Sequence, residues 1–332
     1  MESRDKEALE QMSYPEPFSF EGLNTYSLFD RPSKVTTADF ASPLKAGMSV
    51  RQLLKALPGQ LAAADLLEIA RLTAAAVEAG RPVVMAMGAH VIKVGLNPVI
   101  IDLMERGIIT AIAMNGAGII HDSEIAMAGK TSEDVAAVLG QGAFGAARET
   151  GQFLNACIKR AAESGMGLGR SVGTMLLESD FPYNGQSLLA SAARLEVPVT
   201  VHVAIGTDII HIHPDARGEE IGAASFRDFQ IFCSVVKGLE AGVYFNVGSA
   251  VLLPEVFLKA LTAVRNLGHQ VKRFTTVNLD FIRQYRPLTN VVSRPTLEGG
   301  KGFSITGHHE LMIPLLFSAV LEELEPKQQA GP

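Results

Sequence analysis

Apolar residues recur at helical spacing through LAAADLLEIARLTAAAVEAG (residues 61–80) and then crowd together in PVVMAM (82–87). An amphipathic stretch followed by a short unbroken apolar run predicts a helix and then a buried strand. Gly80 tolerates the left-handed closing conformation and marks the helix stop. The alternation repeats. In VGLNPVIIDLMERG (94–107), Asn97 is expected to cap a helix with Pro98 in its first turn and Gly107 at its end, leading into the strand IITAIAM (108–114). Thr131 and Asp134 have capping-box spacing, which predicts one long helical region through AAVLGQGAFGAARETGQFLNACIKRAA (136–162).

Three more apolar runs, PVTVHVAIG (198–206), GVYFNVG (242–248) and VKRFTTVNL (271–279), read as strands. They are separated by the helical patterns FRDFQIFCSVVKGLEAG and PEVFLKALTAVRNLG, and HHELMIPLLFSAVLEEL closes the series. Strands that are apolar throughout and alternate with helices imply an α/β, Rossmann-like three-layer domain, a mostly parallel sheet covered by helices on both faces. The chain divides into an extended arm over 1–44, one domain over 45–325 and a disordered tail over 326–332.

Composition narrows the partners. The 332 residues are 47% hydrophobic and carry a net charge of -6, with no Lys/Arg cluster, which disfavours nucleic acid and anionic membranes as partners and leaves a small molecule. Cys157 and Cys233 form no closely spaced pair, so neither a disulfide framework nor a cysteine zinc site is indicated. No signal-peptide order and no long apolar span stand out, and the expected location is cytoplasmic.

In open α/β sheets ligands bind beyond the carboxyl ends of the strands, where helix N-termini present amide N–H groups. Those ends are MGAH (87–90), NGAG (115–118), AIGTD (204–208), NVGS (246–249) and TVNLD (276–280), with TGHHE (306–310) opening the last helix. Five of the six carry glycine, which lets a nucleotide approach the backbone, although none is a full G-x-G-x-x-G. Seven of the eight histidines, His90, His121, His202, His211, His213, His308 and His309, fall at these ends. With Asp122, Asp208 and Glu310 they supply acid–base groups or metal ligands. No H-E-x-x-H or comparable spacing is present, so a metal is not the leading expectation.

The order of these motifs resembles the deoxyhypusine synthase family over most of 45–325. MGAHVIKVGLNPVIIDLMERGIITAIAMNGAGIIHD looks like the family's first nucleotide-binding segment. PVTVHVAIGTDIIHIHP is similar to the segment with a glycine-flanked aspartate, matched by Asp208. GLEAGVYFNVGSAVLLPEVFLKAL looks like the triple-glycine segment, and TTVNLD like the strand ending in Asn-Thr-Ala. The resemblance implies a homotetramer and a bound NAD, lined by Gly88, Ala89, His90, Asn115, Gly116, Ala117, Gly118, Gly248, Ser249, Asn278 and His308.

The departures point to a changed substrate. Where the family has its imine-forming lysine in Val-Ser-Trp-Gly-Lys, this chain reads VVSRPT, and Lys301 in EGGKG is the nearby replacement candidate. The acidic polyamine loop becomes FIRQYRPLTN, whose Arg283 and Arg286 suit a carboxylate or phosphate. The expectation is an NAD-binding, deoxyhypusine synthase-like transferase or oxidoreductase acting on a small non-polyamine, anionic substrate. Its catalytic candidates are His121, Asp122, Asp208, His309, Arg283 and Arg286. The alternatives are a metal-dependent hydrolase or lyase using the His/Asp groups, and a catalytically silent nucleotide-binding protein.

Overall fold

A computed structural model describes residues 14–325; the expected tail over 326–332 lies outside them. Two contact units divide the chain, one up to Phe40 and one from Ala41 onward. The described part of the first is exposed and irregular, with a single 3-10 turn at Thr37–Asp39.

The described residues of the second unit hold six strands: β1 (Val83–Met87), β2 (Ala111–Asn115), β3 (Val199–His202), β4 (Val243–Val247), β5 (Thr275–Asp280) and β6 (Lys301–Thr306). All pairings are parallel and the order is β3-β2-β1-β4-β5-β6. Its principal helices are α1 (Leu61–Glu78), α2 (Asn97–Glu105), α3 (Gly116–Ala128), α4 (Arg148–Ser164), α5 (Leu168–Leu177), α6 (Leu188–Arg194), α7 (Gly218–Lys237), α8 (Leu252–Asn266) and α9 (His309–Leu324). The α/β, Rossmann-like architecture is therefore as the alternation implies. No described helix is long and apolar enough to cross a membrane.

The two faces of the sheet differ. One is apolar from end to end: Met85, Met87, Met114, Val201, Val247, Leu279 and Ile305 pack with α1, α2, α3 and α9 in the larger core. The other packs Val84, Ala86, Ala113 and Tyr244 against Phe232 of α7 and Phe257 of α8, with the Tyr244 and Phe257 rings stacked 3.8 Å apart. Each large side chain buried here contributes about 1.5–3 kcal/mol of transfer free energy.

The edge strand β3 is closed off by side chains rather than by a seventh strand. The Val201 N–H donates to Asp228 on α7 and the Val203 N–H to Ser225, at 2.8 and 3.0 Å. Such partners remove the open ladder that would otherwise pair with another chain.

Three local expectations are corrected. Asn97 does not cap α2; it is the first helical residue, and its amide instead donates to Asp122 and to the Gln186 carbonyl. The long helix expected through 136–162 is two pieces, Val135–Val138 and α4, because Gly142 and Gly145 take φ of +69° and +74° and break it. Asp134 caps only the short piece. Finally, β6 was not among the expected strands, because its short alternation KGFSIT begins directly in the glycine-rich EGGKG stretch.

Candidate functional site

Parallel register turns the strand sequences into rows. Ala113, Ala86, Asn246, Asn278 and Ser304 lie side by side on the α7/α8 face. One step toward the carboxyl ends, Asn115 pairs with His202 and Asp280 with Thr306, while Gly88 and Gly248 continue β1 and β4 between them. This face is thus apolar below and polar above. The polar rows converge on the carboxyl edge at the point where the strand order reverses, between β1 and β4, the usual crevice of an open α/β sheet.

At that point backbones are pressed together. Gly88 N–H donates to the Val247 carbonyl at 2.9 Å, and a Cβ on Gly88 would lie 2.4 Å from the Gly248 oxygen. Gly248 has φ +62°, and a Cβ there would lie 2.6 Å from the His309 ring. His309 opens α9 and is fully buried. Its Nε2 faces the Leu279 carbonyl at 3.3 Å, which makes Nε2 the protonated nitrogen, while Nδ1 is buried without a partner among the described residues. Burial pushes the imidazole below its ordinary pKa, against the Leu279 bond and the Asp280 charge, so the ring is neutral near pH 7. His90, Phe281 and His308 complete a cluster of rings: His90 lies 5.7 Å from His309 and 5.9 Å from Phe281, and Phe281 stacks within 7° of parallel on His308. Asp280 and Thr306, absent from the sequence-derived candidates, belong to the same edge. Their signal was the alternation in TTVNLD and KGFSIT, where every second residue is polar toward the strand end.

The NGAG turn is occupied differently from a phosphate cradle. Asn115 caps α3 by accepting from the Gly118 N–H at 3.2 Å, and Gly118 is required by the Met114 side chain, whose sulfur lies 2.8 Å from where a Cβ would be. Over Gly116 sits the carboxylate of Asp208, with Oδ2 2.1 Å from where a Cβ would be. A negative group thus already lies at the positive end of α3, where a phosphate would be repelled. Asp208 Oδ2 has no partner among the described residues, and burial raises this carboxyl above the ordinary range, opposed by His211 and the Thr207 hydroxyl.

Several expected site residues are placed elsewhere. Asp122 is fully buried and accepts from Asn97, from the Ser187 hydroxyl, and from the Leu188 and Leu189 N–H groups at 2.5–3.0 Å. It ties α3 to the start of α6 and has no lone pair turned to a ligand, so the expected His121–Asp122 proton pair is corrected. His121 points instead to Thr131. Asn278, 1% exposed, accepts from Asn246 and supports the polar row from within the sheet rather than lining its edge. Ser249 accepts from the Leu253 N–H at the start of α8. Arg286 is paired with Glu255 at 3.2 Å, and Arg283 is exposed. Lys301 begins β6 at the amino end and pairs with Glu68. Five residues of strand, about 16 Å, separate it from the carboxyl edge, so it cannot stand in for the missing lysine. For the metal alternative, no three His, Cys, Asp or Glu side chains gather in ligand geometry among the described residues.

No protein-family model matches the sequence, and none of the curated proteins does. Solved structures share the fold. A mutant of AgrE in binary complex with L-arginine superposes with a TM-score of 0.51 at 18% identity, over 79% of this chain and 33% of that one. AgrE in ternary complex with ornithine and NAD+ gives 0.49 at 17% identity, over 78% and 33%. A candidate deoxyhypusine synthase from Entamoeba histolytica gives 0.48 at 12% identity, over 83% and 94%. The chain spans about a third of the length of AgrE. At 18% identity the likeness to the arginine-bound AgrE mutant establishes the Rossmann-like fold alone.

Proposed function

We propose that this protein is an enzyme that binds NAD at the switch point between β1 and β4 and acts on a small molecule held at the same edge. The observation that carries the reading is His309: a neutral, fully buried ring laid against Gly248 beside the switch point, with an Nδ1 that has no partner among the described residues. Buried polar atoms are normally satisfied, and an orphan at a strand edge marks a place for a ligand donor.

The residues fit a dinucleotide on the β1, β4 and β6 side. Gly88, Ala89, His90, Gly248 and His308 would line it, the flat rings of His90, Phe281 and His308 offering stacking surfaces. The first turn of α9 has no side-chain cap and would supply N–H groups to a phosphate. The Asn115–Gly118 turn is left out of the cradle because Asp208 fills it. NAD, when bound, accepts a hydride. The protein orients the ligand through His309 Nδ1 and shields the reacting face with the ring cluster.

Charge at the edge also revises the substrate. Asp208, Asp280 and Glu310 are acidic, and Arg286 is already neutralised by Glu255. A neutral or cationic small molecule fits this edge better than the anionic one expected from Arg283 and Arg286. The homotetramer implied by the family resemblance is part of the proposal, and native mass spectrometry checks it.

Calorimetric titration of the purified protein with NAD+ tests the central point. Binding near one NAD+ per chain is expected, weakened about tenfold or more by Gly248→Ala, whose added methyl must displace His309. Absence of any NAD+ binding by the unaltered protein rejects the reading.

A further inference from the structure

His121 is held by a chain of side chains that the dinucleotide reading does not use. Its Nδ1 lies 2.6 Å from the Thr131 hydroxyl, which donates to Glu124 Oε2 at 2.5 Å, and the other Glu124 oxygen accepts from Thr150 at 3.1 Å. The Thr131 proton goes to the carboxylate, so the His121 Nδ1 must be the donor to the Thr131 oxygen. The Nε2 lone pair is then left over. The ring is 17% exposed, and Nε2 has no partner among the described residues. Glu124, Thr131 and Thr150 also line an open cavity of about 660 Å³ with Met127, Phe181 and Lys130. The charged groups acting on the ring are Glu124, on its own helix, and Lys93, from the turn after β1.

We propose that His121 is an acid–base group whose tautomer is set by Thr131, with Glu124 and Thr150 as positioning residues, so that Nε2 is presented as a proton acceptor to a ligand bearing an O–H or N–H. It rests on the reading above only for the substrate, a small molecule. In the step, the ligand O–H or N–H bond breaks and its proton joins Nε2. The imidazolium charge is met through the Nδ1–H···Thr131 and Thr131–H···Glu124 bonds. The same proton leaves Nε2 for water when the cycle closes. A relay of this kind stabilises the charged ring and so offsets part of the basicity that burial takes from it.

Two measurements on the full-length protein without cofactor test this. Nitrogen-15 spectra of histidine-labelled protein should show His121 as the neutral Nδ1–H tautomer; Thr131→Val should mix the tautomers and Thr131→Ser should restore them. Diethyl pyrocarbonate with peptide mapping reads reactivity, because a neutral, reachable nitrogen forms the N–C bond as the carbonate leaving group departs. At pH 7 the His121 rate should fall about three- to tenfold in Thr131→Val and in Glu124→Gln, and stay within about twofold in Thr131→Ser. An Nε2–H tautomer in the unaltered protein, or equal His121 rates in Glu124→Gln and the unaltered protein, overturns the proposal; Glu124→Gln serves if Thr131→Val fails to fold. Neither readout involves NAD, so a failed NAD+ titration would sink the dinucleotide reading and leave this one standing.

Discussion

The carboxylate of Asp208 fills the place a side chain on Gly116 would take, with Oδ2 2.1 Å from that Cβ position. Residues 92 apart in sequence are thereby locked where β2 passes into α3 and the chain leaves β3. The glycine at this turn is there for a protein carboxylate. Gly116→Ala should therefore destabilise the fold by about 1–3 kcal/mol, the range for forcing atoms into a filled site. Asp208→Ala should relieve most of that cost, giving a coupling of at least about 1 kcal/mol in a double-mutant cycle read by urea unfolding. Additive effects would show that the contact is not made.

Asp122 separates structure from catalysis. It accepts four hydrogen bonds while fully buried. Asp122→Asn turns one accepting oxygen into a donor among donors, and a cost of about 2–4 kcal/mol is expected. NAD+ affinity of the folded variant should change less than about twofold if the cofactor lies at the β1/β4 crevice, since that is well under 1 kcal/mol. A large loss of affinity at unchanged stability would return Asp122 to the site.

Acid stability should be governed in part by His202. This ring is buried at the end of β3, bonded to Thr200 at 3.0 Å and set edge-on against Phe232. Burial lowers its pKa from 6.5 to about 4. The unfolded chain therefore takes up the proton first. Stability from this residue is fully present above pH 6.5 and is lost as pH falls toward 4, by up to about 3 kcal/mol in all. His121 and His309 are shifted in the same direction. Urea melts across pH 4–7 should show a shallower slope for His202→Asn; an unchanged slope would mean that His202 is charged or exposed.

The legible part of this protein was the part carried by periodicity. Apolar runs such as VVMAM and VYFNV become strands because a strand covered on both faces must be apolar on both sides, and helical spacing in 61–78 and 252–266 survives intact for the same reason of burial. The carboxyl edge, where the proposed site lies, followed from the connectivity. By contrast, Thr131 looked like a cap and turned out to serve His121 and Glu124, because a hydroxyl bonds whichever partner the fold brings near.

The sequence by itself determined a parallel, helix-covered sheet and the residues that stand at its carboxyl edge, since these depend on patterns within about twenty residues. Only the tertiary structure decided which polar groups were already spent. Asp122 on α6, Arg286 on Glu255 and Lys301 on Glu68 are matched to partners 31 to 233 residues away, and no local pattern encodes a contact between segments that meet only after folding.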